Sequence, residues 1–221
     1  MSRTSRIVSA SVLAAAAFVA AATPGLVSAQ PGSKQDGKKA AEGPTIGSIA
    51  PAFALRDLDG KEHTLAQLTK DGHVVVLVWF NADCPYVKKH FGDNKTFNDM
   101  QTKFKGQKVT MLFINSNAPG TQGSGKDRNV KARDEWKIDW PILLDEAGTV
   151  GKAYGSKNTP ATYVIGTDGT LKYAGAIDDD ASPNKVGKTN YAVKAVEELL
   201  AGKPVTTTTT AAYGCSVKYK N

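Results

Sequence analysis

The chain has 221 residues, 41% of them apolar and 22% charged, with 28 Lys plus Arg against 21 Asp plus Glu. This composition excludes a disordered or fibrous chain and fits an ordinary globular protein of one domain. A net charge of +7 without any run of five or six like charges leaves no nucleic-acid footprint: the densest basic stretch, residues 34–39, is interrupted by Gln35, Asp36 and Gly37.

Residues 7–22 are apolar and alanine-rich, follow Arg3 and Arg6, and lead to the small-x-small sequence Val27-Ser28-Ala29. This reads as a secretory signal peptide over residues 1–29 rather than a membrane span. Cleavage after Ala29 leaves 192 residues with a net charge of +5. The mature protein is then expected to be exported, periplasmic or extracellular, with no membrane span. In that oxidising compartment Cys84 and Cys215 are available to each other as a disulfide. Residues 30–46 are rich in Gly, Lys, Gln and Pro and read as a flexible leader. The folded domain is expected over residues 47–221, long enough to remove roughly 70% of its unfolded surface from water.

Residues 73–80 (HVVVLVWF) form a continuous β-branched apolar run between Asp71-Gly72 and Asn81-Ala82-Asp83, the pattern of a strand buried on both faces. After Cys84-Pro85 the period changes. Val87, Phe91, Phe97, Met100 and Phe104 read as one face of a single helix that starts at or just after Cys84 and ends before Gly106. Pro85 suits its first turn, where a missing N–H costs nothing. A buried strand at residues 109–115, a Gly-rich loop at 119–125, a helix at about 129–137 and a short strand at 141–144 continue a βαβα order, hence a largely parallel sheet. Asp145 is expected to cap a short helix that stops at Gly155. Residues 161–166 and 171–176 then form a hairpin about Asp168-Gly169, so the sheet is mixed. Asn190 is expected to cap a last helix with Val193, Val196, Leu199 and Leu200 inward and Gly202 as its stop. Beyond it lies a polar tail that carries Cys215.

A cysteine placed where a buried strand turns into a helix has its sulfur among unpaired helix N–H groups, which favour the thiolate, the reactive form. Lys88, four residues on, would add to this effect and Asp83 would oppose it. Several separated segments in this order resemble the thioredoxin superfamily: residues 50–60 (APAFALRDLDG), 74–85, 158–165 (NTPATYVI) and 213–218 (YGCSVK). They are most similar to the redoxin family of the alkyl hydroperoxide reductase and thiol-specific antioxidant type. Within it they resemble a peroxiredoxin-like branch with the motif Cys84-Pro85-Tyr86-Val87-Lys88. The resemblance implies an α/β thioredoxin-like fold, a mixed central sheet with helices on both faces. It implies that Cys84 is the nucleophile and that Pro160 is a cis-proline facing it. The backbone of Thr159 would be offered to an extended thiol-bearing substrate, with Tyr86 lining its path and Lys88 tuning the thiol. No bound cofactor is needed, because the cysteines carry the electrons.

Two departures matter. Val87 stands where a thioredoxin has the second thiol of Cys-x-x-Cys, so local resolution of a mixed disulfide is excluded. Leu77 and Asn81 stand where a peroxiredoxin has the Pro and Thr of Pro-x-x-x-Thr-x-x-Cys, which weakens a peroxidase reading; the polar Asn81 retains a hydrogen-bond donor. Cys215 is the natural partner, since residues 202–214 reach up to roughly 45 Å when extended. It reads either as a resolving cysteine or as one end of a structural staple, a bridge worth roughly 5 kcal/mol in the chain-entropy model.

Other signals are weaker. Gly120 to Lys126 fits part of a phosphate-binding loop, but Asp127 follows where a Ser or Thr must ligate magnesium, so the segment reads as a mobile surface loop near Cys84. His90 with Cys84 suggests copper but lacks a second cysteine; no metal site is expected. His63, His73 and His90 read as solvated, and Asp178-Asp179-Asp180 as a loop and cap cluster. The function expected is an exported thiol-disulfide oxidoreductase acting on protein or small-molecule thiols and disulfides. The alternatives are a thiol peroxidase acting on peroxide, and a non-catalytic binding module of the same fold with a structural disulfide.

Overall fold

The computed structural model describes residues 43–220. The signal peptide expected over residues 1–29, and the leader as far as residue 42, lie outside them. In chain order the elements begin with β1 (Ala54–Arg56), β2 (Glu62–Thr64), α1 (Leu65–Lys70) and β3 (Val74–Trp79). They continue with α2 (Pro85–Lys88), α3 (Thr96–Phe104), β4 (Val109–Asn115), α4 (Lys126–Trp136) and β5 (Ile142–Leu144). Last come α5 (Thr149–Ala153), β6 (Asn158–Thr159), β7 (Thr162–Ile165), β8 (Leu171–Gly175), α6 (Tyr191–Leu200) and β9 (Cys215–Ser216).

The main sheet has the order β5-β4-β3-β7-β8. β3, β4 and β5 run parallel, and β7 and β8 pair antiparallel. β3 lies at the centre and all six of its residues are buried. Because side chains alternate across a strand, it feeds two cores. Val74, Val76 and Val78 pack with Val87, Phe91, Phe97, Met100, Ala192 and Val196. Val75, Leu77 and Trp79 pack with Leu65, Leu112, Val150 and Tyr154. One face is therefore covered by α2, α3 and α6, and the other by α1 and α5. This is the mixed α/β sheet with helices on both faces that the sequence led us to expect. Among the described residues no helix is long and apolar enough to cross a membrane.

Several boundaries differ from the sequence reading. The single helix expected after Cys84 is two helices, α2 of one turn and α3, separated by residues 89–95. Phe91 and Phe97 are six apart, which breaks helical phase, and Gly92 (φ 60°) and Lys95 (φ 50°) take left-handed backbone between them. α4 starts at Lys126, earlier than expected. Gly148, not Asp145, is the N-cap of α5, yet the Asp145 carboxylate still accepts from the Val150 and Gly151 N–H groups. Leu200, expected inward, is 40% exposed; Val196 is buried and Val193 and Leu199 are half-buried against the core as expected, and Ala192 and Ala195 complete the buried face. Asn190 caps α6 through the Val193 N–H and Gly202 closes it with φ 68°. The strands β1, β2, β6 and β9 were not anticipated, being only two or three residues long.

The tail after α6 is not a loose polar segment. Ala174 N–H donates to the Thr208 carbonyl at 3.0 Å and Thr210 N–H to the Ala174 carbonyl at 3.3 Å, which adds the tail to the β8 edge. Farther on, Ala118 N–H donates to the Lys218 carbonyl at 2.7 Å, and Lys218 N–H to Asn117 Oδ1 at 2.9 Å. Tyr219 Oη donates to the Ser156 carbonyl at 2.6 Å. Between these two anchorages the chain crosses the end of β3 and carries Cys215 with it.

Candidate active site

Cys84 is the N-cap of α2, in extended backbone (φ −78°, ψ 122°), with Pro85 in the first turn. The Val87 and Lys88 N–H groups donate to its carbonyl at 3.0 and 2.9 Å, so the turn itself holds the residue. The side chain is 2% exposed. Its Sγ donates to the Thr159 carbonyl at 3.2 Å. The Thr159-Pro160 peptide is cis, and both residues are buried. Lys88 is exposed at the end of α2, and its neighbour Lys89 is the buried cation. Asp83, expected to oppose a thiolate, is ion-paired with Arg128 at 2.8 Å; Arg128 also donates to the Ala82 carbonyl.

Thr159 is where the structure departs most from the sequence reading. Its backbone is not open to an incoming chain: β6 pairs antiparallel with β9, with Thr159 opposite Cys215 and Asn158 opposite Ser216. Val217 N–H extends the ladder to the Lys157 carbonyl at 3.0 Å. The register puts the Cys215 side chain against Cys84, and both cysteines are unbridged. Burial, and then the neighbouring Cys84 thiol, push the Cys215 thiol up to about 12, while Lys218 and the Tyr86 N–H act the other way. Gly214 makes the approach possible. Its φ is 115°, and a Cβ there would lie 2.0 Å from the Thr159 carbonyl oxygen. Tyr86 is half-buried, its ring 6.0 Å from that of Tyr213.

Around Tyr213, two residues before Cys215, lies a buried polar cluster that the sequence reading missed. His90, expected to be solvated, is 0% exposed and bonds Tyr213 Oη at 3.1 Å through Nε2 and Thr96 Oγ1 at 3.3 Å through Nδ1. The Tyr213 hydroxyl donates to Asp178 Oδ1. Asp178 also accepts the Gly187 N–H at 2.6 Å and lies 3.7 Å from the Lys89 ammonium. That ammonium sits 4.4 Å from the centre of the Tyr213 ring and donates to the Ser182 carbonyl. The acidic run at 178–180 is thus a loop around a buried charge. Of the other histidines, His63 Nε2 is hydrogen-bonded to Asp57 Oδ2 at 2.7 Å and His73 bonds Thr110, so neither is simply solvated. The available sequence signal was the spacing of Tyr213 and Cys215, which share one face of an extended segment. A buried Lys89 carries no such signal, since lysine is ordinarily exposed.

Burial, reinforced by Lys89 and opposed by Asp178, lowers His90 from its usual value to about 4. Between pH 6.5 and 4 the unfolded chain binds a proton at this residue that the folded chain does not. Stability is therefore expected to be complete above about pH 6.5 and to fall as the pH drops to about 4, by about 3 kcal/mol in all. Urea unfolding midpoints at neutral and acid pH check this. A His90→Gln variant with an unchanged slope over the same window would refute the assignment.

The Gly-rich loop is pinned rather than mobile. Asn81 Nδ2 donates to the Gln122 carbonyl at 3.2 Å, and Asn81 Oδ1 accepts the Asp83 N–H at 2.8 Å. Asn115 Nδ2 donates to the Gly123 carbonyl and to Asn129 Oδ1, and Asn129 donates to the Gly125 carbonyl. Asn81 therefore ties the turn before Cys84 to the loop, and Leu77 is fully buried in β3. Among the described residues no group of three or more His, Cys, Asp or Glu is placed to hold a metal ion.

Comparisons with known proteins bear on the family and the fold. The AhpC/TSA family matches residues 46–174. The thiol-disulfide oxidoreductase ResA of Geobacillus thermodenitrificans is 28% identical over 127 residues, which cover 58% of this chain and 67% of that protein. The chloroplastic peroxiredoxin Q of Oryza sativa subsp. japonica is 28% identical over 138 residues, covering 58% of this chain and 57% of that one. This chain thus spans about two thirds of the first relative and just over half of the second. Among solved structures, the hypothetical protein SMc02350 from Sinorhizobium meliloti 1021 superposes with a TM-score of 0.72 at 28% identity, covering 81% of this chain and 97% of that one. With a thioredoxin-like architecture and a family match over more than half its length, the chain belongs to the AhpC/TSA family.

Proposed function

We propose that the protein is an exported thiol-disulfide oxidoreductase in which Cys84 is the attacking thiol and Cys215 resolves. The observation that carries this reading is the β6–β9 ladder. It sets Cys215 opposite Thr159, whose carbonyl accepts the Cys84 thiol, so the only two cysteines of the chain adjoin. The activity named for the ResA relative supports it.

In this mechanism the Cys84 thiolate attacks one sulfur of a substrate disulfide, R–S–S–R′. A Cys84–S–S–R bond forms, and R′S⁻ leaves and takes a proton from water. The Cys215 thiolate then attacks the Cys84 sulfur and releases RS⁻, leaving a Cys84–Cys215 disulfide. The substrate gains two electrons, the cysteine pair loses two, and an external dithiol restores the pair. A peroxidase reading has the peroxiredoxin Q relative on its side, but the Asn81 side chain is engaged by Gln122 and Asp83.

The reduction potential of the pair tests the proposal. Mature protein equilibrated in glutathione buffers, with free thiols counted by mass, is expected to give a value near or above about −200 mV, as a labile catalytic pair requires. A value below about −300 mV would mean a staple on a binding scaffold.

A further inference from the structure

The strands β3, β5 and β8 run in one direction, and each ends on the side of the sheet where Cys84 lies, followed shortly by an aspartate. All three carboxylates are already engaged. Asp83 is held by Arg128 at 2.8 Å, and Asp178 lies 3.7 Å from the Lys89 ammonium and takes the Tyr213 hydroxyl. Asp145 is buried and accepts from Ser116 Oγ at 2.7 Å and from the Val150 and Gly151 N–H groups. The lysines around the tail differ. Lys152 on α5, Lys157 just before β6 and Lys218 just after β9 form no ion pair among the described residues, and Glu146, the exposed acid before α5, is paired with none of them.

The tail gathers these cations beside the second thiol. Lys218 Nζ donates to Ser216 Oγ at 2.9 Å, its N–H is held by Asn117 Oδ1 at 2.9 Å, and its charge draws the Cys215 thiol down against the effect of burial. Lys152 Nζ donates to the Lys220 carbonyl at 3.3 Å and lies 5.7 Å from the centre of the Tyr219 ring. Two of the three ammonium groups are thus placed by the tail itself before any partner arrives. Lys157 is exposed, and its carbonyl accepts the Val217 N–H at 3.0 Å, so it flanks the same segment. Of the two sulfurs beside this surface Cys215 is the half-buried one, whereas Cys84 is 2% exposed.

We propose that Lys152, Lys157 and Lys218 are the docking surface for an acidic protein dithiol, the electron donor that re-reduces the Cys84–Cys215 pair. This rests on the reading of that pair as redox-active given above. A surface of one sign, with its neighbouring acids already neutralised, concentrates a partner of the opposite sign and speeds encounter by about 10- to 10³-fold. Because three elements each contribute a cation, a segment with several carboxylates is what meets all of them. The electrons then enter at the more exposed sulfur. A donor thiolate attacks Cys215, a donor–Cys215 disulfide forms, the Cys84–Cys215 bond breaks, and Cys84 leaves as a thiolate. The donor's second thiolate attacks the donor sulfur of that mixed disulfide and releases Cys215, which takes a proton from water. The donor loses two electrons and becomes a disulfide; the pair gains two.

The test uses oxidised, full-length protein and three synthetic dithiol peptides that share one Cys-x-x-Cys core and differ only in flanks of Glu, Gln or Lys. Rates of reduction are compared per thiolate present, since the flanks also shift the peptide thiols. At low ionic strength the Glu peptide is expected to react about tenfold faster than the Gln peptide and the Lys peptide more slowly, and about 0.5 M salt should erase the order. Lys152→Gln with Lys157→Gln, which leaves both sulfurs and Lys218 in place, is expected to cut the Glu advantage to about threefold without changing the Gln rate. Adding Lys218→Gln should remove the rest. If the triple variant fails to fold, or slows all three peptides alike through Cys215, the double variant decides. Equal rates for the three peptides in the native protein, or a Glu advantage that the double variant leaves whole, would overturn the surface. A gain equalled by mercaptosuccinate, an acidic thiol of one residue's size, would mean a small-molecule donor and overturn the protein partner. Protein that forms no Cys84–Cys215 disulfide, or whose disulfide none of the peptides reduces, would overturn the redox reading itself, a result distinct from a flat order of rates.

Discussion

Replacing Cys84 with serine is expected to cut disulfide reduction by about 10³-fold or more. The substitution changes almost nothing else. A serine hydroxyl at the N-cap of α2 can still donate to the Thr159 carbonyl where the thiol does now, and Ser is a favoured N-cap residue. The buried site then loses only the contacts of one sulfur, about 1 kcal/mol, which in a domain of this size is a fall of roughly 2–4 °C in Tm. An alcohol is not ionised near neutral pH and cannot displace a thiolate from a disulfide. Single-turnover reduction of a disulfide by reduced protein, followed by the release of its thiol, measures the effect. Undiminished activity in Cys84→Ser would mean that the chemistry lies elsewhere and that the juxtaposition of the two thiols is incidental.

The second large effect is expected from Cys215→Ser. If Cys215 resolves, the variant should react once and stop, with one substrate-derived thiol bound at Cys84 by mass and no multiple turnover. If the pair is only a staple, turnover persists, and oxidised wild type is stabilised over the variant by roughly 5 kcal/mol, the loop closed between the cysteines being about 130 residues long. The pH dependence adds an independent sign. Burial is the first cause of the raised Cys215 thiol, ahead of the neighbouring Cys84 thiol. Cys215 therefore stays protonated through the neutral range. In wild type, release of substrate from the mixed disulfide should quicken about tenfold per pH unit between about pH 7 and 9, in proportion to the thiolate present. A flat profile would place some other step, or some other thiol, in the resolving role.

Much of the site was legible from residues close together in the chain. The β-branched run 74–79 forms the central buried strand because alternation and burial are local properties of a strand. Cys84 lies where that strand ends because Pro85 and the change of period mark a helix start. Asp168-Gly169 turned the hairpin, and Asn190 and Gly202 bounded α6, for reasons contained in their own side chains or lack of one. Local pattern failed where it was weak. The helix after Cys84 broke at Gly92 and Lys95, because one out-of-phase phenylalanine says little without the packing that penalises it. The Gly-rich loop looked mobile, since its restraint comes from Asn81, Asn115 and Asn129, three residues scattered over β3's end, β4 and α4.

What the sequence alone determined was the sheet, most of its helices, and a cysteine at the head of one of them, since periodicity, capping and turn chemistry act over a few residues. Only the tertiary structure decided where Cys215 goes and what surrounds it. Pairing between Thr159 and Cys215 spans 56 residues, and its register depends on tail anchorages at β8 and at Asn117 and Ala118 that no local pattern encodes. Contacts that distant form only when the intervening chain has already ordered. The burial of Lys89, His90 and Asp178 is of the same kind: ionisable residues enter a core when partners from other segments meet them there, and here those segments are the connection between α2 and α3, the loop before α6, and the tail.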